Sequence, residues 1–504
     1  MTLNLGCLVE ESARIRPDRI ALIDGDEQID YRALDDRIRR FASGLKDLGI
    51  DPGQHVALML PNVSAFPIAY FGGHYAANPV VPLNILLKAD EIEYHLKDSD
   101  AVALVVHEDY LDEALKGFSR VPTCEHLIIV GETPAQGVSF DDLLSRSQPV
   151  ADLAPTMPDD TAVILYTSGT TGQPKGAELT HFNMFYNADY IATRLSPHTE
   201  ESIGLACLPL FHSFGQTVVM NSLLRVGGSV VLVSRFDPLD ILGTMERCKI
   251  TFFAGVPTMY FALLHQEGAD RFDLGELEFC NCGGAAMPEE VMKAFDAKYG
   301  VNILEGYGLS ETSPVASFNV LDREKKVGSI GLPIGGVKFR LTDSDDKVIE
   351  ETGVPGEIWI KGHNVMKGYY GKPEATAEAV QDGWFRTGDI ATVDEDGYYR
   401  IVDRAKDMII RGGFNVYPRE VEEVIYGHPS ITEAAVLGVP DPKFGEEIKA
   451  FVVLKEGESL AGDDIVDYCK ERLAAYKYPR SVEIRDALPK GPTGKILKRD
   501  LRVE

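Results

Sequence analysis

Apolar positions fall into two rhythms along most of the chain. In YRALDDRIRRFASGLKDLGI, Leu34, Ile38, Phe41, Leu45 and Leu48 recur at spacings of 4, 3, 4 and 3, and Gly49 ends the run. Side chains three and four apart share one face of a helix, so this stretch predicts an amphipathic helix. A short apolar run, VALML at 56–60, follows and is closed by Pro61 and Asn62. Such runs recur as VALVV (102–106), LIIV (127–130), AVILYT (162–167), VVLV (230–233) and ITFFAG (250–255), with helical stretches between most of them. Strands that are apolar on both sides are buried on both faces, the habit of parallel sheets in α/β folds.

Near residue 327 the texture changes. VGSIGLPIGGVKFRLTD and GEIWIKG predict short strands joined by Gly-rich turns. DRAKDMIIRGG, at 403–413, mixes charges with an apolar triplet and two glycines, and reads as a joint. Beyond it, Pro418 suits the first position of a helix over 418–427. Strands ITEAAVLGV and EIKAFVVLK and a helix over 463–475 complete a small unit. The expected fold class is therefore α/β. A large N-terminal domain, residues 1–403, holds layered α/β subdomains and a β-rich one; a small mobile α+β domain covers residues 404–504.

Composition narrows the classes. The chain has 504 residues, 44% apolar and 25% charged, which fits a globular protein of more than one domain. No run approaches the ~18 uncharged apolar residues of a membrane span. The start, MTLNLGCLVEESARIRPDR, meets acids by residue 10 and lacks a signal peptide's layout. Seven cysteines, with only Cys280 and Cys282 close together, give no disulfide or zinc pattern. A reducing cytoplasm is the expected compartment. The net charge of −28 disfavours binding to nucleic-acid backbone. From Arg404 onward there are 17 Lys and Arg against 18 Asp and Glu, so residues 1–403 hold −27 of that charge.

The candidate chemistry begins at YTSGTTGQPKG, residues 166–176. It follows an apolar strand, where α/β folds place ligands. Gly169, Gly172 and Gly176 let backbone N–H groups approach an anion. Thr167, Ser168, Thr170 and Thr171 add hydroxyls, and Lys175 adds a positive charge. The spacing is not that of a P-loop NTPase: two residues separate Gly172 from Lys175, and Gly176 stands where a Ser or Thr is required.

Seven further stretches follow in order: LPLFHSFG (208–215), NCGGAAMP (281–288), YGLSET (307–312), GWFRTGD (383–389), DRAKDMI (403–409), GGFNVYP (412–418) and PTGK (492–495). With the loop, they resemble the signatures of the adenylate-forming superfamily, which includes acyl-CoA synthetases, adenylation domains and beetle luciferases. The resemblance spans nearly the whole chain. It implies a two-step reaction: a carboxylate attacks the α-phosphate of ATP to give acyl-AMP and pyrophosphate, and a thiol, usually that of CoA, then displaces AMP.

The resemblance also implies roles. Glu311 would bind Mg²⁺, and a hard cation bridging phosphates suits a carboxylate. Ser310 stands where a Thr is common, and the hydroxyl is retained. Gly283, Gly284, Ala285, Tyr307 and Gly308 would form the adenine site. Asp389 would hold the ribose hydroxyls, and Arg404 the ribose or phosphate. His212 would lie by the acyl group and α-phosphate. Lys495 would serve adenylation, bridging carboxylate and phosphate oxygens as a point charge. Lys406 would be the hinge about which the small domain turns, presenting the Gly412-Gly413 loop to the thiol step. The segments expected to line the acyl pocket are FHSFGQ, TFFAGVPTMYFALLH and FCNCGGAAM, and none contains Lys or Arg. A buried second carboxylate would need a cationic partner, so a malonate-like acid is disfavoured. A medium- or long-chain fatty acid is the expected substrate, with a cinnamate- or benzoate-like acid next. An acyl carrier protein is the alternative thiol. Two other readings were weighed. A luciferase-like oxidoreductase would share the adenylation motifs, whereas a non-catalytic nucleotide binder would have lost Glu311 or Lys495.

Overall fold

The computed structural model describes residues 2–167, 173–285, 287–321, 323–404, 407–411, 414–491 and 494–501. Among these residues the strands assemble into four sheets of nine, eight, six and five strands. In the nine-stranded sheet the strands Ser229–Leu232, Ile203–Ala206, Phe252–Gly255, Phe279–Cys282 and Ile303–Gly308 run parallel in that spatial order. The eight-stranded sheet has a parallel centre of His55–Met59, Val80–Pro82, Ala101–His107 and His126–Val130. Every residue of His55–Met59 is buried, as a strand covered on both faces requires.

The helix read from the spacing of apolar residues spans Tyr31–Asp47 and buries Leu34, Ile38, Phe41 and Leu45. Asp30 caps it, its carboxylate accepting the Ala33 N–H at 2.7 Å. The six-stranded sheet is the β-rich part, built from antiparallel strands including Gly356–Lys361, Trp384–Val393 and Tyr399–Arg404. The fourth sheet, beginning at Ile409–Arg411, carries helices Pro418–Tyr426 and Gly462–Lys470 and has its own core around Val421, Ile425, Val436, Ile448 and Ile465. The last helix is shorter than the expected 463–475. Past Lys470 the Arg472 N–H bonds to the Cys469 carbonyl, three residues back, and the helix ends in turns.

The connection after the strand that carries Tyr166 is a hairpin. The loop after Tyr166 does not lead from a strand into a helix. It joins Thr161–Thr167 to Lys175–Thr180, an antiparallel neighbour in which Thr167 pairs with Lys175. A helix N-terminus is therefore not what faces an anion here. Among the described residues, no helix is long and apolar enough to cross a membrane.

Candidate active site

Glu311 sits in a single turn, Ser310–Thr312, directly after the strand Ile303–Gly308. That strand carries Tyr307 and Gly308. A Cβ at Gly308 would collide with the Pro314 carbonyl, so only glycine lets the chain fold back here. Glu311 is buried. Its Oε1 accepts two hydroxyls: Thr167 Oγ1 at 3.1 Å and Tyr369 Oη at 3.0 Å. No hydrogen bond reaches Oε2 from the described residues. Lys175 Nζ lies over the Tyr369 ring, 5.3 Å from its centroid. The end of the first loop strand, the first residue after the loop and the YGLSET carboxylate are thus brought together.

The second group lies around Asp389, which is 3% exposed. Its Oδ2 accepts the Tyr307 hydroxyl at 2.5 Å, and its Oδ1 pairs with Arg404 Nε at 3.1 Å. Register explains the pair: Asp389 and Arg404 face each other across two antiparallel strands. The Asp389 carboxylate raises the Arg404 pKa, with smaller contributions from Tyr307, Asp407 and Glu311. Burial, followed by the Asp389 charge, pushes the Tyr307 phenol well above its usual range, so it stays protonated and donates. The charge of Arg404 links the Asp389 group to Glu311.

A third group holds the acyl segments and the C-terminal loop. His212 Nδ1 accepts the Phe214 N–H at 3.3 Å, which leaves the proton of the neutral ring on Nε2. Desolvation, and then the charge of Lys495, lower the His212 pKa to about 4. Lys495 has therefore been brought from the small domain to within electrostatic reach of His212. The neighbouring Gly494 is docked on the large domain: its carbonyl accepts Thr258 Oγ1 at 3.4 Å. Its φ of +78° lies in the region glycine adopts readily, and a Cβ there would come within 2.8 Å of Thr258 Oγ1. Phe214 faces Gly283, its ring atoms 3.4 Å from where a Cβ would stand. Gly283 is buried, whereas Gly284 and Ala285 are exposed. Behind Gly255 the space is filled by Phe253 and Tyr260, and Tyr260 meets Phe295 edge-on at 5.1 Å.

Ser168, Gly169, Thr170, Thr171, Gly172, Lys406, Gly412 and Gly413 lie outside the described residues. One residue of the site was missed from sequence. Tyr369 belongs to a two-residue strand, too short for any periodicity to announce, and only its pairing beside Lys175–Thr180 brings it to Glu311.

Comparison with known proteins gives the same picture. Residues 9–370 match the family of AMP-binding enzymes, and residues 420–495 match the AMP-binding enzyme C-terminal domain. The chain is 39% identical to a feruloyl-CoA synthase of an Amycolatopsis species, over 99% of this chain and 98% of the other. It is 38% identical to a long-chain-fatty-acid–CoA ligase of Yersinia pestis, over 98% of this chain and 93% of the other. The crystal structure of the anthranilate CoA ligase AuaEII with anthranoyl-AMP superposes with a TM-score of 0.94 at 30% identity, covering 100% of this chain and 97% of that one. The chain belongs to the adenylate-forming superfamily, and within it to the AMP-forming acid–thiol ligases of the acyl-CoA synthetase type.

Proposed function

We infer that this ligase activates an apolar monocarboxylic acid as acyl-AMP and passes the acyl group to CoA. The observation that carries this reading is Gly494 seated on Thr258 of the large domain, which brings Lys495 within electrostatic reach of His212, together with Asp389 paired to Arg404 and bonded by Tyr307. In the first step a carboxylate oxygen bonds to the α-phosphorus, the bond to the β-phosphate oxygen breaks, and pyrophosphate leaves. Lys495 would neutralise charge shared by the carboxylate and phosphate oxygens, and neutral His212 would donate from Nε2. Asp389 would accept the ribose hydroxyls, with Tyr307 and Arg404 holding its carboxylate. In the second step the thiol sulfur bonds to the acyl carbon and AMP leaves. The C-terminal domain would turn about Lys406 between the two steps, withdrawing Lys495 and bringing up the Gly412-Gly413 loop.

The residues fit a bound Mg²⁺ of the kind shared with substrate. Among the described residues no three His, Cys, Asp or Glu side chains group as a metal cage. Glu311 instead offers one carboxylate beside the phosphate loop, and Mg²⁺ is commonly held by one or two carboxylates together with nucleotide phosphates. Once bound, the ion would neutralise phosphate charge.

Phe253 and Tyr260 fill the space around Gly255, within a segment expected to line the acyl site, and this favours a compact acid of benzoate or cinnamate type. A medium- or long-chain fatty acid is the second reading, supported by the similarity to a long-chain ligase. It would require the Phe253 and Tyr260 rings to move aside.

Incubation with MgATP and a panel of fatty, aryl and dicarboxylic acids, with and without CoA, tests all of this by mass spectrometry. The expected products are AMP and an acyl-CoA from monocarboxylic acids only. Turnover confined to dicarboxylic acids would overturn the reading of the pocket. Acyl-AMP that persists despite CoA would overturn CoA as the acceptor and point to an acyl carrier protein.

A further inference from the structure

Tyr369 touches both charged side chains of the phosphate end, one with its hydroxyl and one with its ring. The hydroxyl donates to Glu311 Oε1, which also accepts from Thr167. The ring face carries the Lys175 ammonium. Among the described residues no ion pair joins Lys175 to a carboxylate. An ammonium and a carboxylate on either side of one phenol attract each other, and in the half-buried space between them the attraction is stronger than in water. The phenol's bond to Glu311 and its ring contact with Lys175 thus stand in place of a direct pair between the two charges.

The segment that carries Tyr369 is pinned on three sides. The Met366 N–H bonds to the Glu311 carbonyl at 2.8 Å, so the same short stretch fixes both backbone and side chain of Glu311. Tyr369 pairs with Ala177, and the Tyr370 N–H bonds to the Gly176 carbonyl at 2.8 Å, which ties it to the strand leaving the loop. Lys372 Nζ pairs with Asp98 Oδ1 at 2.5 Å, and Asp98 Oδ2 accepts the Tyr166 hydroxyl at 3.0 Å, which ties it to the strand entering the loop. Tyr94, on the same helix as Asp98, donates to the Pro174 carbonyl at 2.7 Å. Both stems of the loop are therefore referenced to the frame that positions the tyrosine.

We propose that Tyr369 is a positioning residue for the metal–nucleotide site: its hydroxyl orients Glu311 toward a divalent cation, and its ring face engages Lys175, which forms no ion pair with Glu311 among the described residues. This rests on Glu311 being the cation's ligand. Groups that orient a metal ligand without touching the metal typically contribute about 10- to 100-fold in metal affinity or activity.

The test needs no knowledge of the acid. Binding of Mn²⁺-ATP to the full-length enzyme is followed by the electron paramagnetic resonance of Mn²⁺, and AMP binding without metal is followed by calorimetry. Tyr369→Phe keeps the ring and removes the donor. It should weaken Mn²⁺-ATP by about 10-fold and leave AMP affinity within about twofold of the parent. Tyr369→Leu also frees Lys175 to pair with Glu311, and should weaken Mn²⁺-ATP further. Unchanged Mn²⁺-ATP binding in Tyr369→Phe overturns the proposal, as does an equal loss for AMP, which would mean a general distortion of the pocket. Glu311→Gln separates the two levels of inference. If it leaves Mn²⁺-ATP binding intact, the ligand assignment falls and takes the proposal with it. If it abolishes metal-dependent binding while Tyr369→Phe behaves like the parent, the ligand stands and the tyrosine's role alone is lost.

Discussion

At the Asp389 end of the site, a carboxylate is held by two side chains carried on sheet strands, Tyr307 at 2.5 Å and Arg404, the last residue of Tyr399–Arg404, at 3.1 Å. At the Lys495 end, an exposed lysine comes within electrostatic reach of His212 from a loop whose Gly494 carbonyl accepts Thr258 Oγ1 at 3.4 Å. The first arrangement is built from strand register and short hydrogen bonds. The second joins a loop of the small domain to the large one, a contact that the proposed turn of the small domain would make and break. On that proposal, preorganisation lies where the nucleotide would stay through both half-reactions, and mobility where the catalytic group would serve only one.

Lys495→Ala breaks this comparison most severely. If the lysine serves adenylation alone, acyl-AMP formation should fall by about 10²- to 10³-fold, the usual cost of removing a group aimed at developing charge. Thioester formation from supplied acyl-AMP should stay within a few-fold of the parent, as measured by single-turnover assays of each half-reaction. Equal losses in both halves would mean that the contact at His212 is a fixed part of one site, not one of two settings.

Asp389→Asn probes the rigid end, and a smaller effect is expected. The amide keeps the shape but removes the charge that Arg404 faces and one acceptor for ribose. Affinities for both AMP and ATP should fall by about 10-fold, equivalent to ~1.4 kcal/mol. Because the nucleotide is held there throughout, both half-reactions should suffer alike. An effect confined to adenylation would contradict the role assigned to that end.

The two ends also differ in how well the sequence announces them. Tyr307, Glu311 and Asp389 sit in short continuous stretches whose local fold, a strand running into a turn or the middle of one strand, already brings the side chain near its place. The apolar runs likewise became buried strands, because burial on both faces leaves a direct imprint on residue type. What stayed hidden depends on contacts between distant stretches. Tyr369 lies 58 residues from Glu311 and reaches it only because a two-residue strand joins the edge of a sheet formed mostly by residues before 181. The antiparallel pairing around the phosphate loop was equally invisible, since an apolar strand looks the same whether its neighbour runs with it or against it. The packing of Phe253 and Tyr260 behind Gly255 is a matter of volume in three dimensions, and the expected fatty-acid substrate was framed without it.

The smallest expected effect concerns charge at the domain contact. Glu305 is 2% exposed, in the strand that also carries Tyr307, and its Oε2 has no hydrogen-bond partner among the described residues. Its Oε1 accepts the Met287 N–H at 3.3 Å. Burial raises its pKa from 4.5 to about 7; Arg419 and Arg400 oppose that shift and Glu423 adds to it. Arg419 and Glu423 belong to the helix Pro418–Tyr426 of the small domain, so this carboxyl senses the docked partner. The folded state holds the proton between pH 4.5 and 7 while the unfolded state has released it. The contribution of Glu305 is therefore fully favourable below about pH 4.5 and is lost as pH rises to about 7. Glu305→Gln should remove that part of the pH dependence of thermal stability, seen as a flatter melting temperature between pH 5 and 7.5. Arg419→Ala removes the leading countercharge and should move the midpoint of the same decline upward. If the midpoint does not move, the helix of the small domain is not coupled to Glu305, and this second point of charge plays no part in the docked arrangement.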